Sequence, residues 1–388
     1  MSQTLGVMAV QNEWPLCGVS ISYALDNHVD RIVVIDHNGE DETLFGLAHL
    51  QGLYAERLAV VRVEAQVWDQ ASIYELGILV LDPEPEDWIY LFDADEFLLV
   101  SSGESLREVL DELESDVVSY AVENWLVPND MDLSNLDAYL RITTRSLPTK
   151  GHEVTHEQME ELEDLKSNYF DYTFQPKLIN RLRAGQRYSE GAHALYKGTT
   201  SEKNLGVAQE RFYAVHLPFA SWDRLVMRAQ RGQEVIASRV DRNFGWQSQM
   251  VARLRATGKL ATFWETHAVC EPSIEIEALA TAYDMSFQTS VAPTINRLRA
   301  YFGDNLNSST RSHAPRFALD VKFATQMYER FTHLRSYASS LDVSRQTEVS
   351  RISKEYEAVI TSILDSRTWK IGLRLQKLAQ FLRGQRRG

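Results

Sequence analysis

The stretch Trp88-Ile89-Tyr90-Leu91-Phe92-Asp93-Ala94-Asp95-Glu96-Phe97-Leu98-Leu99 joins a long apolar run to three carboxylates. An uninterrupted apolar run is typical of a strand buried on both faces of a sheet. Ionised carboxylates are costly to bury unless a cation or strong donors compensate them. Because hard oxygen ligands suit Mg²⁺ and Mn²⁺, Asp93 and Asp95 are candidate ligands for a divalent ion that carries phosphates. An exposed acidic turn that closes a strand is the alternative interpretation.

The sequence on either side of this stretch alternates between strand and helix patterns. Residues 5–10, 31–36 and 58–63 have strand character, and residues 15–27 and 70–81 have helical character. Such alternation predicts an α/β fold with a mostly parallel, doubly wound sheet flanked by helices. We predict a catalytic domain over 1–240 with an insertion at 126–175. A mixed or helical accessory region over 241–325 and a helical C-terminal extension over 326–388 follow it.

Composition restricts the class of protein further. The 388 residues carry a net charge of −14, and an acidic body disfavours nucleic acid as a partner. Two distant cysteines, Cys17 and Cys270, argue against a disulfide scaffold and for a reducing compartment. The first ten residues lack the basic and apolar segments of a signal peptide. We therefore predict a cytoplasmic protein.

Polar residues also follow the first two predicted strands. Asn12 and Glu13 come after the first strand, and Asp36 and Asp41 come at and after the end of the second. Ligands of open α/β sheets bind beyond the carboxyl ends of the strands, so all four are candidate donor-binding residues. Capping of the next helix is the alternative for Asn12, Glu13 and Asp41. The chain has neither a G-x-G-x-x-G motif nor a P-loop, so phosphates must be held in another way.

The order of these motifs resembles the family 2-type glycosyltransferases of GT-A fold. The resemblance is closest to the branch whose motif reads Asp-x-Asp-Glu-Phe, as residues 93–97 do here. It continues more weakly through residues 176–181, 190–193 and 214–221, followed by a helix with Arg228 and Arg231, and covers roughly residues 5–235. It implies a Rossmann-like GT-A sheet, a nucleotide-sugar donor, Mn²⁺ or Mg²⁺, and a glycan or lipid-linked glycan as acceptor. Bacterial surface polysaccharide synthesis is the process that it suggests.

The resemblance also assigns roles to individual residues. Asp36 would contact the nucleoside, Asp93 would lie near the ribose or the metal, and Asp95 would bind the metal. His216 would be a further metal or diphosphate ligand. The remaining candidate donor-binding residues are Gln70, Lys177, Arg181 and His193. A structural role is the alternative for His193 and His216. A solvated basic face of a strand is the alternative for Lys177 and Arg181, and ordinary surface polarity is the alternative for Gln70.

Family 2 implies inversion, which requires a carboxylate that takes the proton of the acceptor hydroxyl. The usual Glu-Asp base motif of the family is not recognisable in this sequence. Candidate bases are Glu190, Asp130, Asp132 and Glu96. We favour Glu190 because it precedes the matched His193 in a glycine-containing turn.

Two patterns distinguish the C-terminal end. Apolar residues at 349, 352, 356, 359 and 363 form a short heptad seam, which predicts either a homo-oligomer through 345–365 or packing onto the catalytic domain. Residues 366–388 contain seven Lys and Arg and no Asp or Glu. Their amphipathic pattern, which includes Trp369 and Phe381, favours peripheral contact with the inner face of the plasma membrane. A basic helix docked on an acidic body is the alternative.

Three other classes of protein compete with this interpretation. Haloacid-dehalogenase-type phosphatases place Asp-x-Asp after the first strand, with Thr or Val where this chain has Phe97. Nucleotidyltransferases of related fold carry a glycine-rich N-terminal signature that is absent here. The third alternative is a non-catalytic glycan-binding or scaffolding protein that retains a GT-A fold.

Overall fold

A computed structural model describes residues 2–101, 104–128, 131–181, 186–197, 200–201, 207–238, 246–267, 280–307, 314–340, 354–355, 358–359 and 361–362. The strands are β1 Thr4–Val10, β2 Arg31–His37, β3 Leu58–Val63, β4 Trp88–Phe92, β5 Glu96–Val100, β6 Val117–Asn124, β7 Thr144–Ser146, β8 Lys177–Arg181, β9 Gln186–Tyr188, β10 Leu195–Lys197, β11 Thr200–Ser201, β12 Val207–His216 and β13 Thr281–Tyr283. The α-helices are α1 Leu16–Asn27, α2 Thr43–Tyr54, α3 Gln70–Leu81, α4 Leu106–Asp111, α5 His156–Glu163, α6 Trp222–Ser238, α7 Trp246–Ala256, α8 Leu260–His267, α9 Ser286–Phe302 and α10 Val321–Ser340.

The main sheet has the strand order β3-β2-β1-β4-β8-β6-β12-β5. Its first four strands are parallel to one another, and β12 is parallel to β6. Strand β8 runs antiparallel to both of its neighbours, and β5 closes the far edge antiparallel to β12. The predicted fold class, a mostly parallel α/β sheet flanked by helices, is confirmed.

The apolar run forms β4, which ends before Asp93 as its pattern predicts, and residues 96–100 form a further strand, β5, that was not predicted. Strand β4 pairs with β1 in the middle of the sheet, and β5 pairs with β12 at the edge. The intervening Asp93–Ala94–Asp95 turn is closed by a hydrogen bond from Glu96 N to Asp93 O at 3.1 Å. Strand β4 ends here because Asp residues are depleted in strand interiors and favoured in turns.

Helices cover both faces of the sheet because alternate strand residues point to opposite sides. Met8 and Val10 of β1 pack in a cluster with residues of α1, α2 and α9, whereas Val7 packs in a second cluster with α3 and α10. A third cluster joins α6, α7 and α8 to residues of the 126–175 region, among them Tyr169.

The chain after 326 is helical in α10, and Val359 packs against the same cluster as that helix. The other residues of the predicted heptad seam, and the basic segment 366–388, lie outside the described residues. Within the part of the chain that the structure describes, no helix has the length and apolarity needed to cross a bilayer.

Candidate functional site

A cleft of about 240 Å³ lies beyond the carboxyl end of β4. The 93–95 turn, the start of α3, the start of β8, the end of β12 and α6 surround it. Its charged and polar lining includes Glu13, Gln70, Asp93, Asp95, Glu96, Lys177, Glu190, His193, His216, Arg224, Arg228 and Arg231. The sheet therefore brings together candidates that are up to about 200 residues apart in sequence, at the edge where α/β folds bind ligands.

Lys177 is a buried cation between two carboxylates. Its Nζ lies 2.8 Å from Asp93 Oδ2 and 2.7 Å from Glu96 Oε2, and its side chain is 3% exposed. Burial opposes the charge on Lys177, but the two carboxylates outweigh that effect and raise the pKa of its ammonium. Burial also raises the pKa of Glu96 to about 7, although Lys177 acts in the opposite direction. The ammonium thus holds the 93–96 segment against the start of β8.

Asp95 and His216 form the second polar pair. His216 Nε2 lies 3.8 Å from Asp95 Oδ2, and both side chains are buried. Burial lowers the pKa of His216 to about 4, so its imidazole is neutral at neutral pH. Because Asn124 Oδ1 accepts a hydrogen bond from Nδ1 at 2.8 Å, the lone pair of the neutral ring is on Nε2, facing Asp95.

The charge on Asp95 is stabilised by its surroundings. Burial acts to raise the pKa of this carboxyl group, but His216, Arg224 and Arg228 outweigh burial and lower it. Asp95 Oδ2 lies 3.4 Å from a guanidinium nitrogen of Arg224. Asp95 is therefore a carboxylate at neutral pH and can act as an acceptor or a metal ligand.

The donor set fits a divalent ion that also takes phosphate oxygens as ligands. Asp95 offers an oxygen and His216 a nitrogen, whereas Asp93 accepts hydrogen bonds from Gln70 and Lys177. Among the described residues, no group of three or more His, Cys, Asp and Glu side chains is arranged as a complete metal site. Mg²⁺ commonly binds through one or two carboxylates together with substrate phosphates, which is compatible with an incomplete protein shell.

Helix α6 contributes three arginines on one face. Arg224, Arg228 and Arg231 follow one another at intervals of four and three residues, so they project to the same side of the helix and line the cleft. Arg224 also lies 2.8 Å from Glu13 Oε2, and the guanidinium of Arg231 lies 4.3 Å from the Trp68 ring centroid. The guanidinium fork matches phosphate geometry, so this face can bind a diphosphate.

Glu190 and His193 lie in one short turn at the cleft. Glu190 is half-buried, and it interacts electrostatically with Arg335 of α10. Gln70 Oε1 accepts a hydrogen bond from Gly191 N at 3.1 Å, and His193 Nδ1 donates to Pro176 O at 3.1 Å. Burial lowers the pKa of His193 to about 4. The turn is thereby tied to both α3 and the segment before β8.

Three of the four candidates that follow β1 and β2 make hydrogen bonds or ion pairs with other residues of the protein and do not line the cleft. Asn12 Oδ1 accepts hydrogen bonds from Glu40 N at 2.7 Å and Asp41 N at 3.2 Å. Asp36 is fully buried against Arg62, and Asp41 Oδ1 accepts from Thr43 N at the start of α2. Glu13 alone of these four residues lines the cleft.

Arg181 lies at the opposite end of β8 from Lys177. It pairs with Trp88 at the beginning of β4, and its guanidinium stacks 4.5 Å from the Trp88 ring centroid. Four residues of strand separate the two cations by about 13 Å, so Arg181 is not part of the cleft. Among the alternative bases, Asp132 accepts from Ser134 N and is exposed away from the cleft, and Asp130 lies outside the described residues.

Comparison with known proteins gives little identity. No protein-family model and no curated protein matches the chain. Among solved structures, it is similar to residues 1–349 of S. aureus TarS, with 11% identity, a TM-score of 0.34 and coverage of 85% of this chain and 92% of that one. It is also similar to the apo structure of the bifunctional glycosyltransferase WbbM, with 11% identity, a TM-score of 0.26 and coverage of 85% and 52%. At these values the inference of function rests on the cleft itself.

The sequence assigned no role to several residues of the site. Arg224 was not among the candidates, and Arg228 and Arg231 entered only as part of a matched segment. Their helical spacing is a signal that could have identified a basic face. Asn124, which orients His216, has no such signal, because the two residues are 92 positions apart and meet only through the pairing of β6 with β12.

Proposed function

We propose that this chain is a metal-dependent, inverting glycosyltransferase of GT-A fold that uses a nucleotide-sugar donor. The observation that carries the proposal is that ionised Asp95, the free Nε2 of neutral His216 and the arginine face of α6 meet in one cleft. A phosphatase is disfavoured because the Asp-x-Asp segment follows the fourth strand of the chain and its first carboxylate is paired with Lys177.

The donor diphosphate would lie between the 93–95 turn and α6. Arg228 lines the cleft, and its charge is stabilised against burial chiefly by Asp95. Guanidinium groups that face the diphosphate would offset the negative charge that develops on the leaving group. Asp95 and His216 would hold Mn²⁺ or Mg²⁺, which acts as a Lewis acid at the phosphate oxygens when bound. Asp93, which is held by Gln70 and Lys177, would lie near the ribose or the metal.

Glu190 is the proposed base. The acceptor oxygen forms a bond to the anomeric carbon of the sugar, and the bond from that carbon to the phosphate oxygen breaks. The electron pair of the broken bond stays on the nucleoside diphosphate, and the hydroxyl proton moves to the Glu190 carboxylate. Glu96 is a weaker candidate because it is buried and its carboxyl group already pairs with Lys177.

The proposed acceptor is a glycan or a lipid-linked glycan of bacterial surface polysaccharide synthesis. A basic amphipathic segment at 366–388 would bring the enzyme to the anionic inner face of the membrane where such lipids are used. Self-association through 345–365 is the further proposal from the heptad seam. Deletion of 366–388 should abolish sedimentation with anionic vesicles while donor hydrolysis continues. Unchanged sedimentation would refute the membrane role of this segment.

The activity is tested by nucleotide release. Purified protein is incubated with UDP-, GDP- and CMP-linked sugars, with and without Mn²⁺, and the free nucleotide is measured. We expect one donor class to be hydrolysed slowly in a Mn²⁺-dependent manner, and Glu190→Gln to reduce the rate about 100-fold without weakening nucleotide binding. No release and no binding with any donor would favour the non-catalytic scaffolding protein. Full activity of Glu190→Gln would exclude Glu190 as the base.

A further inference from the structure

Gln70 uses both ends of its side-chain amide within the cleft. Its Nε2 donates to Asp93 Oδ1 at 2.8 Å, and its Oε1 accepts from Gly191 N at 3.1 Å. One neutral side chain therefore joins the Asp93 turn to the turn that carries Glu190. Both ends of the amide are thus engaged in contacts within the protein.

A second connection between the same two turns passes through β8. His193 Nδ1 donates to Pro176 O at 3.1 Å, and the next residue, Lys177, lies 2.8 Å from the other oxygen of Asp93. Each carboxylate oxygen of Asp93 is thus linked to the 190–193 turn by a separate path. Together the two paths form a closed ring of hydrogen bonds and covalent segments around the floor of the cleft.

The turn itself has a backbone that needs support. Gly191 has a φ of 70°, and Ala192, which has a side chain, has a φ of 57°. A Cβ at position 191 would lie 2.4 Å from His193 Nε2, so the ring of His193 occupies the space that a side chain would need. For residues other than glycine the left-handed region costs about 1 kcal/mol, so contacts from outside the turn must hold this conformation. The bond from Gln70 to Gly191 N is such a contact.

The other end of the connection is firmly anchored. Gln70 is the first residue of α3, and Asp69 caps this helix through Ser72. The backbone N of Asp69 donates to Tyr328 Oη of α10 at 2.6 Å, and Tyr328 is buried. Gln70 therefore projects from a fixed backbone, and its position determines how far the 190–193 turn lies from Asp93.

We propose that Gln70 is a positioning residue that sets the distance between Asp93 and Glu190, and thereby between the bound donor and the base. This inference rests on the proposed function for its catalytic consequence. It replaces the role expected from the sequence, in which Gln70 contacts the donor. The connection itself is a property of the fold and can be measured without any substrate.

The test uses Gln70→Leu, which removes both hydrogen bonds, and Gln70→Glu, which keeps an acceptor for Gly191 N. Amide hydrogen exchange reports the connection: we expect exchange at Gly191 to rise at least about tenfold in Gln70→Leu and to stay protected in Gln70→Glu. At saturating donor, turnover of Gln70→Leu should fall about 100-fold, because small displacements of reacting groups have effects of this size. The dissociation constant for the nucleoside diphosphate should stay within about twofold, since no ligand contact is lost.

Gln158→Leu is the matched control. Gln158 also lies at a helix start and accepts from a backbone N, that of Thr155 at 2.9 Å, but it is not part of the cleft. It should leave exchange at Gly191 and turnover unchanged. Gln70→Met, which retains the length of the side chain, replaces the Leu variant if the latter unfolds.

Unchanged protection of Gly191 in Gln70→Leu would overturn the inference. So would a loss confined to donor affinity with full turnover at saturation, since that result would make Gln70 a donor contact. If wild-type protein neither binds nor turns over any donor, the proposed function fails, but exchange at Gly191 still decides whether Gln70 holds the turn.

Discussion

Strands β2 and β4, which lie on either side of β1, both lead into carboxylates, but the environments of these carboxylates differ. Asp36, at the end of β2, is fully buried, and its Oδ2 accepts from Arg62 at 2.7 Å. Asp93, beyond the end of β4, has a side chain that is 32% exposed and opens into the cleft beside Asp95. A carboxylate after a strand is therefore a ligand candidate only where the surrounding protein leaves access to it.

The electrostatic contrast is as clear as the difference in access. Burial raises the pKa of Asp36 to about 6, with Arg62 acting against it. Burial also acts to raise the pKa of Asp95, but His216 and the α6 arginines outweigh it and lower the pKa. At neutral pH the arginines of α6 therefore stabilise the Asp95 carboxylate, whereas Arg62 only partly offsets the burial of Asp36. The difference predicts that substitutions at the two ends affect different properties.

The largest effect is expected at Asp95. Asp95→Asn keeps the size of the side chain and removes a charge that would bind the metal, so turnover should fall about 1,000-fold. Initial rates at saturating donor and Mn²⁺ measure this effect. The thermal midpoint should also fall, because the lowered pKa of Asp95 means that its charge stabilises the folded protein, and the amide no longer offsets the charges of Arg224 and Arg228. Normal turnover would remove Asp95 from the proposed mechanism.

Lys177 shows how the open end is held in place. Lys177→Met leaves Asp93 and Glu96 without their buried cation, and breaking a buried pair in this way costs about 3–5 kcal/mol. Urea unfolding should show a loss of this size at pH 7. The loss should shrink at pH 5, since Glu96, whose pKa burial raises to about 7, is then protonated in the folded variant. An equal loss at both pH values would show that the ammonium does not act through Glu96.

Asp36→Asn tests the closed end. The pKa of Asp36 is raised in the folded state, so the folded protein binds more protons than the unfolded chain between pH 4 and 6, and stability falls as pH rises through that interval. Relative to Asp36→Asn, wild type should lose about 2 kcal/mol of unfolding free energy between pH 4 and 7. Urea titrations of both proteins at several pH values measure the difference. A weaker nucleotide affinity in Asp36→Asn would instead indicate contact with the nucleoside.

Arg181 should give the smallest effect. Arg181→Ala removes stacking on Trp88, which is worth about 0.5–1 kcal/mol at a partly exposed site. Nucleoside diphosphate affinity should not change, because Arg181 and Lys177 are at opposite ends of β8. A marked loss of affinity, measured by calorimetry, would place the diphosphate near Arg181 instead of between the 93–95 turn and α6.

The fold was largely accessible from the sequence because the period of apolar residues sets element type. Residues 5–10 and 31–36 lie within β1 and β2, and 58–63 and 70–81 coincide with β3 and α3. Strand β5 was not predicted. Phe97 to Leu99 are as buried in β5 as residues of β4 are, so hydrophobicity alone does not reveal that the chain crosses to the far edge of the sheet.

For the candidate site, the sequence predicted which residues have suitable chemistry but not which of them have access to a ligand. Asp93, Asp95 and His216 have the chemistry of ligands, and the sheet brings them to one cleft. Whether the charge of a carboxylate is already paired depends on residues far away in the sequence. Arg62 pairs with Asp36, and Lys177 pairs with Asp93. Lys177 lines the cleft and Arg181 does not, because they lie at opposite ends of β8. The length and direction of this strand could not be read from the sequence between them.

The most direct test of the central claim is a calorimetric titration of UDP, GDP and CMP, each with and without Mn²⁺. It would be carried out on wild type, Asp95→Asn and Asp36→Asn. We predict that Mn²⁺ strengthens binding of one nucleotide at least about tenfold in wild type and in Asp36→Asn, and has no effect in Asp95→Asn. Binding that is indifferent to Mn²⁺ in wild type, or that loses its Mn²⁺ dependence in Asp36→Asn rather than Asp95→Asn, would contradict the account.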